Sequence, residues 1–189
     1  FLSVYNSGPA TFRSEDLIFG EFNQTEVEIC DFSAFNMSLK EKSVKALGAQ
    51  NFQGILFKAT FPKELAHWVY VCDKKEAGLR KEGEIALMDN PSFNRYFDVF
   101  TEDQILARYA LSPKLMERFC GLREKFNCPI SMVLRNREVI IALNLGKNSF
   151  EPSFEKSLLE DDTIRDYISS IKGFTDMVKE LGLNNHIWK

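Results

Sequence analysis

Apolar positions recur along the chain with two different periods, and each period predicts a different kind of element. Between Thr25 and Phe32 the alternation sets Val27 and Ile29 against Glu26, Glu28 and Cys30, which is the pattern of a half-buried strand. Phe1 to Ser7 and Leu17 to Phe22 read as earlier strands, the first broken by Gly8-Pro9. From Asn36 to Asn51 the period fades, and this segment reads as a surface connection. Phe52 to Phe61 returns to strand character, with Gly54 marking a bulge. After a break at Pro62-Lys63, the run His67 to Cys72 is expected to pair with it as a hairpin, and Glu84 to Met88 reads as another short strand.

The helical period takes over after Phe97 to Phe100, a short aromatic and β-branched strand. Thr101 with Gln104 fits a capping box, and Ile105, Leu106, Tyr109 and Ala110 supply the apolar face of the helix it would start. Ser112 caps a second helix with Pro113 pre-set for its first position, and Leu115, Phe119, Leu122 and Phe126 form its buried stripe. Pro129 to Leu134 and Glu138 to Leu145 then read as two strands covered on both faces, joined by a turn at Arg135-Asn136-Arg137 in which Asn136 tolerates a left-handed backbone. Pro152 opens a short helix around Phe154 and Leu158. A longer helix follows from Asp161 to Thr163, with Ile164, Tyr167, Ile168, Ile171, Phe174, Val178 and Leu181 on one face and Gly182 at its end. Together these elements predict an α+β fold. A mostly antiparallel sheet carries two consecutive central helices and a C-terminal helical segment packed on it, as a single domain over residues 1–189.

Composition narrows the reading. A chain of 189 residues with 44% hydrophobic content can bury a substantial core, and the 17 phenylalanines predict that rings fill it. With 24 Lys and Arg against 27 Asp and Glu, no nucleic-acid partner is expected. Cys30, Cys72, Cys120 and Cys128 contain no C-x-x-C pair and read as free buried thiols, while His67 and His186 are too few for a metal pattern. No apolar run reaches the ~20 residues that span a bilayer, and no signal peptide is present.

Phosphate-loop, dinucleotide, zinc-protease and serine-hydrolase motifs are all absent, and nothing calls for a cofactor. Three constellations could still carry chemistry. Asp98, Glu102 and Asp103 place carboxylates at the strand-to-helix corner, either as an acid/base pair or cation site or simply as helix-start acids. Glu15-Asp16 reads as an acidic turn. Cys120 with His67 or His186 is a conceivable nucleophile pair, although Cys120 lies beside the apolar stripe of its helix. Apart from these, Lys74, Lys75, Arg80 and Lys81 sit in a loop that would meet phosphate or an anionic membrane surface, or else only keep the loop solvated. Arg108, a charge set between apolar neighbours, is the residue that folding explains least.

Several blocks together resemble the bacterial family catalogued as domain of unknown function 3137. They are Glu15-Asp16 with Gly20, Phe52 to Phe57, Phe97 to Gln104 with Ala107-Arg108-Tyr109, Ser112-Pro113, Met116-Glu117-Arg118, Phe150-Glu151-Pro152 and Ile187-Trp188. The resemblance implies the soluble region of a membrane protein, preceded by transmembrane helices and lying on the cytoplasmic side of the inner membrane. A chain that begins at Phe1 in mid-strand fits that expectation. No reaction or catalytic residue comes with the family.

Three functions follow as expectations. The first is a non-enzymatic, membrane-tethered module that binds a protein or small ligand. The second is an anionic-lipid or phosphate-headgroup binder using Lys74, Lys75, Arg80 and Lys81. The third is a hydrolase-like enzyme using the acidic cluster. Candidate binding residues are therefore Arg108, Asp98, Asp103 and the four basic loop residues.

Overall fold

The longest element, β3 (Gln50–Asp73), is the spine on which the other strands hang. The structure is a computed structural model and describes residues 10–22, 25–36, 50–76 and 83–147, together with seven positions within 165–176. Before the spine come β1 (Ala10–Phe22) and β2 (Thr25–Asn36). After it come β4 (Glu84–Ile85), α1 (Pro91–Tyr96), β5 (Phe97–Thr101), α2 (Gln104–Ala110), α3 (Pro113–Phe126) and β6 (Ile130–Asn144). All strand pairings are antiparallel, in the order β1-β2-β3-β5-β4 with β6 also paired to β3, so the α+β class holds. β6 runs along β3 from Gly54 to Val71, while β2 pairs with its first half and β5 with its last five residues.

Two expected hairpins are instead single strands. Phe52 to Phe61 and His67 to Cys72 do not fold back on each other; both lie in β3. Arg135-Asn136-Arg137 is not a turn, and both flanking runs lie in β6. The breaker residues that predict turns sit at a paired irregularity. The partners of Thr60 and Val69 are Glu138 and Leu134, so β3 carries extra residues between them. Asn136, at φ 50°, uses its left-handed tolerance in this bulge. The same reasoning corrects Glu15-Asp16, where the register shifts within β1 and Asp16 adopts φ 53°.

Gly54 is not a bulge either. It pairs regularly with Phe32 and Asn144, and a Cβ there would lie 2.0 Å from the Leu143 carbonyl oxygen. Close approach of β6 requires the glycine.

The sheet buries both faces along β2, β3, β5 and β6, while β1 stays largely exposed, with Phe19 at 78%. Ile55, Phe57, Val69 and Val71 of β3 join Val99, Met132 and Ile141 beneath Phe93, Ala107, Leu111, Leu115 and Phe119 of the three helices. The opposite face holds Phe32, Phe52, Tyr70, Cys72, Phe100 and Val133. Rings do fill the interior: Phe97 packs between Phe93 and Phe119 with its ring tilted to both, centroids 4.9 and 4.8 Å away.

Ser112 and Pro113 start α3 as the sequence predicts, with the Ser112 hydroxyl accepting from the Leu115 N–H at 3.2 Å. The cap of α2 is shifted. Asp103, not Thr101, is its N-cap and accepts from the N–H groups of Ile105 and Leu106, while Gln104 reaches Glu84. Thr101 is fully buried and donates to the Trp68 carbonyl, so its hydroxyl ties β5 to β3. α1 is absent from the sequence reading although Asn90-Pro91 carries the same cap-and-proline signal as Ser112-Pro113. Arg165, Ile168, Ser169, Lys172, Gly173, Thr175 and Asp176 are helical, and contacts from Arg118, Leu122 and Lys125 hold this segment on α3. The predicted strand at Phe1 to Ser7, the short helix at Pro152 and the Gly182 stop lie outside the described residues, as does most of the Asn36 to Asn51 connection.

Candidate functional site

Each carboxylate of the expected acidic cluster turns to a different partner. Asp98 meets the Lys74 ammonium at 3.4 Å, Glu102 meets His67 Nδ1 at 3.1 Å, and Asp103 caps α2. His67 is thereby joined to Glu102 rather than to Cys120. Lys74 also donates to the Asn94 carbonyl, so its charge is held against the protein. Lys75 is exposed beside it, while Arg80, Lys81 and His186 lie outside the described residues. Arg108 is exposed in the last turn of α2, where a cation suits the negative end of the helix dipole. It shares that face with Ile105 and Tyr109, themselves 80% and 53% exposed.

What the sequence does not reveal is a buried polar knot at the end of β3. The Asp73 carboxylate accepts from Arg123 Nε at 3.1 Å and from the N–H groups of Lys75 and Ile130 at 2.9 and 3.3 Å. Both ionic partners are buried, and Arg123 also lies 5.2 Å from the centre of the Tyr96 ring. Tyr96 donates to Glu124, whose hydrogen bond and charge push the tyrosine hydroxyl up. On the other side Glu76 accepts from Asn144 Nδ2 at 2.9 Å, and burial raises its carboxyl. Arg123 lies in the apolar-stripe register of α3, next to Leu122, and an arginine in that register is the one signal that could have exposed the knot.

Glu124 links this knot to a groove between α1 and α3. The groove encloses about 560 Å³ and is lined by Asp89 to Ser92 on one wall and by Pro113, Glu117, Cys120, Gly121 and Glu124 on the other. Its α3 residues recur at steps of four, three, one and three, so they form one stripe of the helix. A Cβ at Gly121 would meet no atom within 4 Å, which leaves the middle of that stripe open to an approaching chain. Arg118, Leu122 and Lys125, which hold the C-terminal helical residues, lie on a different stripe. Among the described residues, Asp89, Glu117 and Glu124 line the groove with three carboxylates and no cation lines it. Burial, reinforced by Glu124 and Glu117, pushes the Cys120 thiol up to about 11, so at neutral pH it is a poor nucleophile. Cys128 is pushed to about 12, again chiefly by burial. Among the described residues no group of His, Cys, Asp and Glu could hold a metal ion.

Residues 50–183 match the family DUF3137, described as a protein of unknown function; the matched region begins at the first residue of β3 and leaves β1 and β2 outside it. No curated protein matches the sequence. The mycobacterial trehalose monomycolate transport factor A, TtfA, is similar in structure at a TM-score of 0.48 and 13% identity, over 87% of this chain and 72% of that one. Among the described residues no helix is long and apolar enough to cross a membrane.

Proposed function

We propose that this chain, which belongs to the DUF3137 family, is a non-enzymatic interaction module that docks a partner in the groove between α1 and α3. The observation that carries the reading is the character of that groove. It is preformed and open, yet among the described residues it brings no histidine or cation to Cys120, and that thiol is held protonated. A hollow of this kind can bind, and no described neighbour activates its thiol to react. The carboxylates of the β5–α2 corner support the same conclusion, since Asp98 pairs with Lys74, Glu102 contacts His67 and Asp103 caps α2. Tethering to a membrane through segments outside this chain, on the cytoplasmic side, belongs to the proposal and rests on the sequence resemblance.

The test is photo-crosslinking in cells, with a photoreactive residue placed at the exposed Ser92 on the groove wall. A discrete adduct is expected, and Gly121→Leu, which fills the groove, should abolish it. An adduct that survives Gly121→Leu, or no adduct at all, would sink the reading.

A further inference from the structure

We infer that the groove recognises a lysine- or arginine-bearing peptide segment of the partner; this rests on the docking role proposed above and specifies its chemistry. Three observations converge. First, Asp89, Glu117 and Glu124 rim a hollow that no cation lines among the described residues, and Glu117 and Glu124 stand two helical turns apart on either side of Gly121. Ammonium or guanidinium groups entering there meet three carboxylates, which sets sign selectivity. Second, Cys120 is among the lining residues at 8% exposure, and no hydrogen bond of its thiol is found among the described residues. It offers a soft, apolar seat for an alkyl stem whose charged head reaches the rim. Third, the lined stripe runs from Pro113 to Glu124, about 16 Å along the helix axis at 1.5 Å per residue. That length and the open side suit an extended chain better than a free amine. Gly121 supplies the close approach a peptide backbone needs.

Glu124 has a second engagement, since one of its oxygens already accepts from Tyr96. A cation bound to the other oxygen leaves that bond intact, so binding requires no rearrangement of the Arg123–Asp73 pair behind it.

The experiment uses fluorescence anisotropy with a labelled peptide of alternating lysine and alanine as the probe. Four proteins are compared: the parent, the groove triple Asp89→Asn/Glu117→Gln/Glu124→Gln, Gly121→Leu, and a remote triple Glu21→Gln/Glu26→Gln/Glu64→Gln that removes the same charge elsewhere. Since a Cβ at Gly121 meets no neighbour within 4 Å and the remote glutamates are exposed, these variants should keep the parent circular dichroism spectrum. Loss of about tenfold or more in affinity is expected for the groove triple and for Gly121→Leu, with a change below about twofold for the remote triple. Equal weakening by both triples would reduce the interaction to adventitious charge attraction and overturn the inference. So would an unchanged affinity in Gly121→Leu, or competition by spermidine as effective as by unlabelled peptide. The cellular crosslink separates the two levels: if the Ser92 adduct persists in the groove triple, docking stands and the basic chemistry is wrong.

Discussion

Asp73 and Arg123 place a charge pair where the last turns of β3 and α3 meet, and the two residues are not equally replaceable. Removing the carboxylate leaves a guanidinium buried beneath Tyr96 without a counter-charge, so Asp73→Ala should cost about 3–5 kcal/mol in urea unfolding. Arg123→Met should cost less, because the Ile130 and Lys75 N–H groups still solvate the carboxylate. Glu76 adds a pH dependence to the same corner. Burial raises its carboxyl, opposed by the Asn144 hydrogen bond and aided by the Asp73 charge. The folded state therefore holds the proton more tightly than the unfolded one. The resulting stability is present below the ordinary carboxylate range and is lost as pH rises through the raised folded value. Glu76→Gln keeps an acceptor for Asn144 and removes the charge. Its urea midpoint should exceed that of the parent at neutral pH, with the gap closing as pH falls toward about 4.

At the scale of elements, the helices divide into what their own sequence specifies and what a neighbour specifies. Ser112-Pro113 and the Leu115–Phe119–Leu122 stripe are legible because a cap and a period of 3.6 are local properties, and Phe119 is fully buried as that phase requires. Phe119→Ala should lower stability by about 3–5 kcal/mol, measured by the same unfolding. Thr101 and Asp103 are both good cap residues, so local chemistry alone does not decide where α2 begins. The choice between them falls to β3, whose Trp68 carbonyl takes the Thr101 hydroxyl. Asp103→Ala should therefore cost about 1 kcal/mol through the lost cap. The strands show the same limit more sharply. Asn136 is a turn residue by any local rule, yet it pairs with Leu65 between two register shifts of a continuous strand.

At the scale of the molecule, the central strands have two buried faces, with helices α1 to α3 on one and an aromatic cluster on the other, while β1 is largely exposed. Cys72 belongs to the second face and Cys120 to the first. If one cooperative unit contains both, their thiols should become reactive toward a maleimide at the same urea concentration. Separate transitions would show that the two faces unfold independently. In the native state both should label slowly, since both are buried and the Cys120 thiol is pushed up to about 11.

The sequence by itself determined the α+β class, the strand at Phe97, the capped α3 with its buried stripe and the free state of the four cysteines, because each depends on local periodicity, cap chemistry or cysteine spacing. Only the tertiary structure decided that β3 and β6 are each one strand, that Lys74 meets Asp98, and that Asp73 meets Arg123 across 50 residues of chain. It also decided that Asp89 on one segment and Glu117 on another share a groove. These depend on which distant segments face each other, and a charge or a turn residue carries no record of that in its own neighbourhood.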